Sequence, residues 1–239
     1  MAEHQGRGIG RKAGKVAKAG KVAKAGKGAK AGKPGTIGLK RRKVRVAPAL
    51  PPELGPPGRG RVQIYSGSGK GKTTCAVGLC VRALGHGWRV ALVQFDKGYD
   101  GTNEHYAERR TLRKLEGIDL FPTGCERMNA DGTFRFGAEE RDIAEARRGL
   151  ETAATALRSG KYRLIVLDEV LSAVMVGLFG QDEVTALLDL HAKDPRAELV
   201  LTGYTTWPSL LERADLVTEM RKVKHYYDAG LGARPGIEY

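Results

Sequence analysis

A short β-rich run, Val62–Tyr65, leads through Ser66-Gly67-Ser68-Gly69-Lys70-Gly71-Lys72-Thr73-Thr74 directly into a stretch of helical character. Glycine at this density weakens a strand and a helix alike, so the chain needs another reason to carry it. Close approach of the backbone to an anion is such a reason. Successive N–H groups and the mouth of the following helix then point at phosphate oxygens. Lys72 stands where it reaches the terminal phosphates of a nucleotide, and the Thr73 hydroxyl where it ligates Mg²⁺. Gly67, Ser68, Gly69, Lys70, Gly71, Lys72, Thr73 and Thr74 are therefore the expected nucleotide-binding residues. The run departs from the GxxxxGK[ST] pattern once, with Ser66 in place of the first glycine.

Leu164-Ile165-Val166-Leu167-Asp168-Glu169 supplies matching carboxylates. Four apolar residues running into two acids describe a buried strand that ends beside a metal. There Mg²⁺ (or Mn²⁺) offsets the cost of desolvating the charge. Thr73, Asp168 and Glu169 are the expected metal ligands, and Lys72, Thr73 and Glu169 the expected catalytic residues. The other β-rich runs are Arg89–Phe95, Ile118–Phe121, Glu198–Thr202 and Leu216–Met220, with Arg163 opening the Asp168 strand. Ile143, Ala146, Leu150, Ala153 and Leu157 recur at helical spacing within Glu139–Ser159, as do Val184, Leu187 and Leu188 within Gln181–His191. The first helix is expected to begin within Gly71–Thr73 and to stop at Gly85-His86-Gly87. Strands alternating with helices predict an α/β fold, a P-loop NTPase-like three-layer arrangement whose mainly parallel sheet is covered on both faces. Thr202-Gly203, at a strand's carboxyl end, is placed to contact the nucleotide. Trp88 and Trp207 read as packing residues.

The net charge of +14 and the pI near 9.8 describe only one end of the chain. Residues 1–61 hold 17 of the 41 Lys/Arg and 2 of the 27 Asp/Glu, leaving 24 basic and 25 acidic residues after them. A protein that bound nucleic acid over its whole surface would not be near neutral there. From Ala13 the sequence runs AGKVAK-AGKVAK-AGKGAK-AGK up to Pro34, followed by Lys40-Arg41-Arg42-Lys43 and a Pro/Gly stretch from Pro48 to Gly60. So few large apolar side chains cannot offset the entropy of ordering, so residues 1–60 are expected to be a disordered basic tail and linker ahead of a domain at 61–239. The tail is either an electrostatic arm that binds polyanions weakly, with a steep salt dependence, or a solubilising extension. A mitochondrial transit peptide fits less well, since Ser and amphipathic spacing are lacking.

Cys75, Cys80 and Cys125 form no CxxC pair and no cluster with histidine, and read as buried free thiols. No run of about 18 apolar residues exists to span a membrane. The N-terminus has no apolar signal core, and a cytoplasmic protein is expected.

Together these pieces resemble the P-loop corrinoid adenosyltransferases, which act on cob(I)alamin or cob(I)yrinic acid a,c-diamide. Gly67–Thr74 matches the family's G-x-G-K-G-K-T-T loop, including the non-glycine start. Val93-Gln94-Phe95 with Lys97-Gly98 is similar to its V-Q-F-x-K-G. Ala214-Asp215, Val223-Lys224-His225, Asp228-Ala229-Gly230 and Gly236-Ile237-Glu238-Tyr239 resemble its closing signature, the most specific of the three. The resemblance implies ATP, a corrinoid and Mg²⁺ at the site, a reductase or flavoprotein as electron donor, and a homodimer. It also implies that Co(I) attacks C5′ of ATP and triphosphate leaves, with ATP lying in the loop in the reverse of the usual sense. A metal-centred nucleophile needs no activating base, which agrees with the lack of a Ser-His-Asp or Cys-His set. Lys224-His225 and Tyr226-Tyr227 either line the corrinoid pocket or cover ATP.

Two features depart from the family. Its aromatic pair Phe-x-Trp, which helps strip the lower axial ligand from cobalt, falls at Cys125 and Arg127 when aligned on Thr123-Gly124. Tyr99, Phe134 and Phe136 are the nearby candidates to replace it. The isoleucine of F-I-K-G is Asp96. Two other functions remain open at this point: a P-loop ATPase with a basic nucleic-acid-binding arm, and a nucleotide-dependent regulator without transfer activity. Because the tail carries the net charge but none of the motifs, a chain beginning at residue 61 should adenosylate cobalt within a few-fold of the full-length rate under saturating ATP. Loss of most activity on removing only residues 1–34 would contradict this. Loss confined to the shorter chain would show that 35–60, through Val44, Val46 and Leu50, covers the nucleotide.

Overall fold

The computed structural model describes residues 58–98, 104–127, 135 and 137–239. Its strands are β1 (Val62–Ser66), β2 (Val90–Gln94), β3 (Ile118–Pro122), β4 (Leu164–Asp168), β5 (Glu198–Gly203) and β6 (Leu216–Glu219). They form one wholly parallel sheet in the order β3-β2-β4-β5-β1-β6. Each expected strand is present, with no end moved by more than one residue. The helices are α1 (Lys72–Gly85), α2 (Ala107–Leu112), α3 (Glu140–Ser159), α4 (Val170–Met175), α5 (Gln181–Lys193) and α6 (Pro208–Glu212).

Burial on both faces explains why β2 and β4 read as unbroken apolar runs rather than alternating ones. Leu164 and Val166 of β4 face a layer in which α1 contributes Ala76, Cys80 and Ala83 and α2 contributes Leu112. Ile165 and Leu167 face the opposite layer, made by α3, α4, α5 and α6 through residues such as Ala153, Leu171, Leu188 and Leu210. Trp207 packs in that second layer and Trp88 against the first. Of the expected buried thiols only Cys80 is buried; Cys75 and Cys125 are half-exposed, though all three are free. Cys75 lies on α1 one position before the fully buried Ala76, at the margin of the core beside Tyr65. The basic tail falls outside the described residues.

The carboxyl ends of β1, β2, β4 and β5 open on one edge of the sheet, where a nucleotide binds in an open α/β fold. On the α3 side, close packing sets that edge. A Cβ added at Gly149 would lie 2.6 Å from the Phe95 ring and 2.8 Å from Thr123 Oγ1. In an exposed helix Gly→Ala gains about 1 kcal/mol, but overpacking of this kind costs about 1–3 kcal/mol. Gly149→Ala is therefore expected to lower stability, read as a lower urea midpoint at unchanged slope. A raised midpoint would show that α3 has room to shift.

Candidate active site at the carboxyl edge of the sheet

Ser66 is the last residue of β1 and is extended, so its position needs no glycine; the loop begins at Gly67, with φ 111°. The glycines after it answer to β6. A Cβ at Gly67 or Gly69 would stand 2.6 or 2.8 Å from the carbonyl oxygen of Met220, which accepts the Gly69 N–H at 2.6 Å. Gly71 precedes α1 without a side-chain cap, so the first-turn N–H groups of the helix face the loop. That is an anion-binding arrangement. Lys72 Nζ folds back over the loop and donates to the carbonyls of Gly67 (2.8 Å) and Gly69 (3.0 Å). Burial lowers its pKa, partly offset by Glu169 and Asp168.

Asp168 ends β4 with its side chain wholly buried. Its Oδ1 accepts from the hydroxyls of Thr73 (3.0 Å) and Thr202 (2.8 Å). Its Oδ2 accepts from Lys97 Nζ (2.6 Å) and Gln94 Nε2 (3.2 Å). Burial alone would raise the Asp168 pKa, but the Lys97 charge and these donors hold it below the ordinary carboxylate value. Burial likewise pulls Lys97 down, and Asp168 and Glu169 more than reverse this. Lys97 Nζ also donates to Thr73 Oγ1 at 2.8 Å, so one ammonium bridges Thr73 and Asp168. Thr202 is turned inward onto Asp168, not outward to a nucleotide as its strand-end position suggested.

Glu169 takes the left-handed conformation, φ 62°. Its N–H donates to Thr202 Oγ1 and its carboxylate accepts the Ser172 hydroxyl. It lines a cleft of about 550 Å³ together with Thr73, Lys97, Tyr106, Ile237 and Tyr239. Gly236–Tyr239 form the far wall. Lys70 Nζ reaches across to the Ile237 carbonyl (2.6 Å), with Glu238 at 3.7 Å, and the Tyr239 ring stacks on His105 at 4.3 Å. Hydrogen bonds from Arg234 and Tyr226 hold the Glu238 carboxyl down to about 2. Lys224 and Tyr227 are exposed and His225 is half-exposed, and none lines this cleft. A second cavity of about 750 Å³ lies at the opposite edge of the sheet, beside Arg61, Leu79, Arg82 and Trp88, away from every phosphate-loop group.

Arg109 escaped sequence reading. It is fully buried and donates through Nε to Gln94 Oε1 (2.6 Å) and through Nη2 to the Lys97 carbonyl (2.6 Å). The Gln94-to-Lys97 turn that carries the ammonium is thereby pinned. The two departures from the family meet as well. Arg127 Nε donates to Asp96 Oδ1 at 2.6 Å, its Nη1 to the Gly137 carbonyl at 2.5 Å, and Asp142 stands 3.9 Å away. Tyr99, Phe134 and Phe136 lie outside the described residues.

A glycine-rich loop from strand to helix, and a buried carboxylate bonded to the first-turn threonine, define a P-loop nucleotide-binding α/β protein. A family profile, ATP:corrinoid adenosyltransferase BtuR/CobO/CobP, matches residues 58–239. The chain is 38% identical to the corrinoid adenosyltransferase of Pseudomonas aeruginosa over 181 residues, 76% of this chain and 84% of that protein. It is 33% identical to the corrinoid adenosyltransferase of Escherichia coli K12 and to corrinoid adenosyltransferase CobA of Salmonella typhimurium, in each case over 76% of this chain and 86% of the relative. This chain belongs to the ATP:corrinoid adenosyltransferase family.

Removing one partner of a buried ion pair leaves the other uncompensated, at a cost of about 3 kcal/mol. Asp96→Asn, which keeps a residue suited to φ 51°, should destabilise the protein by up to that amount. With Arg127→Met added, much of the loss should return. A double-mutant cycle by urea unfolding checks this, and additive effects would show that the pair is not coupled.

Proposed function

We propose that this adenosyltransferase binds the triphosphate of ATP along Gly67–Thr74, with residues 61–239 carrying the whole activity, and presents C5′ to the reduced cobalt of a corrinoid. The family's reaction, adenosyl transfer from ATP to a corrinoid, is this chain's reaction. Family membership selects it over an ATPase with a nucleic-acid-binding arm. The observation that carries the site assignment is the Thr73 hydroxyl bonded to the buried, ionised Asp168 at the mouth of α1.

The donor set fits Mg²⁺. A hydroxyl and a carboxylate lie side by side at the loop, and a cation, the Lys97 ammonium, is stable between them. Among the described residues no three His, Cys, Asp or Glu gather as a metal site of their own. That agrees with a metal completed by phosphate oxygens, the habit of Mg²⁺. Thr73 and Asp168 would hold it, with Glu169 on the cleft side; when bound it supplies charge that neutralises the triphosphate.

The cobalt–C5′ bond forms as the C5′–O5′ bond breaks, and the electron pair departs on the triphosphate. Cobalt brings the nucleophile, so this chain's residues position and neutralise. Lys72 exchanges its contacts with the Gly67 and Gly69 carbonyls for phosphate oxygens. The first-turn amides of α1 contribute without reorganising. The cleft of about 550 Å³ is of a size to take the nucleoside part. Its wall at Gly236–Tyr239 is tied to the loop through Lys70, so one lysine joins phosphate binding to the shape of the cleft. A reductase or flavoprotein supplies the electron, and the enzyme acts as a homodimer.

Lys72→Ala should abolish transfer while circular dichroism and unfolding stay near wild type, since its charge counts most as triphosphate departs. Release of triphosphate together with a light-sensitive alkyl-cobalt product is the assay. A folded Lys72→Ala enzyme with normal turnover would remove the loop assignment. Glu169→Gln should weaken turnover chiefly at limiting Mg²⁺, and an unchanged rate across a magnesium titration would remove its metal role.

A further inference from the structure

We infer that Lys97 is a resident cation: its ammonium occupies the place between Thr73 and Asp168 that a divalent metal takes, and so excludes the metal until it arrives with a polyphosphate. The inference rests on the assignment of Thr73 and Asp168 as metal ligands. Three distances carry it. Lys97 Nζ is 2.6 Å from Asp168 Oδ2 and 2.8 Å from Thr73 Oγ1, and those two groups are themselves joined at 3.0 Å. Mg²⁺ bound by the same oxygens would stand about 2.1 Å from each, too close to the ammonium for both cations to remain.

Charge decides the order of arrival. Lys97 neutralises Asp168, and Lys72 lies beside the same site with Glu169 as the other near carboxylate. A free divalent ion would therefore enter against two ammonium groups. A triphosphate brings enough negative charge to draw both lysines away and to supply the remaining metal ligands. Lys97 has room to leave while its backbone stays. Its N–H donates to the Thr123 carbonyl at 3.0 Å and its own carbonyl accepts Arg109 Nη2, whereas its side chain lines the cleft and lies 5.3 Å from the Tyr106 ring centroid. The backbone is fixed, and the side chain opens on the cleft that bound phosphate would face.

Mn²⁺ serves as the probe, with the free ion followed by electron paramagnetic resonance on the full chain. Without polyphosphate, wild type should bind Mn²⁺ weakly. Lys97→Met should bind it about tenfold more tightly or better, the scale expected for removing a unit charge a few ångströms away. Lys97→Gln, which keeps a donor for Asp168, should move in the same direction and serves if Lys97→Met does not fold. Adding Asp168→Asn to either should abolish the gain, and inorganic tripolyphosphate should close most of the gap between wild type and variant. Equal Mn²⁺ affinities in wild type and both folded variants would overturn the inference, while leaving the metal assignment intact if Asp168→Asn still weakens Mn²⁺ binding with tripolyphosphate. Mn²⁺–tripolyphosphate binding that ignores Asp168→Asn would overturn both.

Discussion

Asp168 places a full negative charge inside the protein, and four side chains from different parts of the chain converge to keep it there. Lys97 and Gln94 come from the end of β2 and the turn beyond it, Thr73 from α1 and Thr202 from β5. Desolvating a carboxylate costs several kcal/mol even after relaxation, and one neutral hydrogen bond returns only about 1. The ammonium at 2.6 Å is what makes burial tolerable, and the three neutral donors satisfy the remaining lone pairs. Because the donors sit on separate elements, the same cluster fixes how β2, β4, β5 and the opening of α1 stand to one another. The edge of the sheet and the phosphate-loop site are thus a single electrostatic object.

The sheet was legible because its central strands β2 and β4 are buried on both faces and the chain is punctuated by the glycine loop and the Asp168-Glu169 pair. Long helices announced themselves by period, as Ala146, Ala153 and Leu157 of α3 show. The short helices α2, α4 and α6, five or six residues each, could not, since barely more than one turn has no period to read. Within the candidate site, the residues given by the loop and strand-end patterns are local in sequence and therefore readable. The residues that hold them are not. Arg109 is charged and wholly buried, against every compositional expectation, and only the fold shows that it serves the Gln94 side chain and the Lys97 carbonyl. Lys97 entered only as a letter of a family pattern; its bonds to Thr73 and Asp168 span 24 and 71 residues.

The same separation explains Asp96 and Arg127. Each looked like an isolated loss relative to the family, a carboxylate for an isoleucine and a guanidinium in place of an aromatic wall. They lie 31 residues apart and form one ion pair, with Arg127 6% exposed and Asp96 21%. A charge at either position alone would be costly in so enclosed a place, whereas the two together offset much of that cost. The left-handed backbone at Asp96 also suits aspartate better than a β-branched residue. The positions at which this sequence departs from the pattern it resembles thus include one matched polar pair.

Seen from the loop, three lysines rest on protein oxygens: Lys72 on the carbonyls of Gly67 and Gly69, Lys70 on that of Ile237, and Lys97 on Asp168 and Thr73. Under the proposed binding of triphosphate each contact is given up for a phosphate contact, so binding energy is the difference between two sets of charge-assisted bonds, not the sum of one. The difference favours phosphate because a carbonyl carries only a partial charge, whereas triphosphate carries several full ones. Lys97 stands apart, for it already has a full carboxylate partner, and only a divalent ion delivered to that carboxylate compensates its departure. Positive charge is therefore held ready beside the site without a large reorganisation of the backbone, which is the form electrostatic preorganisation takes when the leaving group is highly charged.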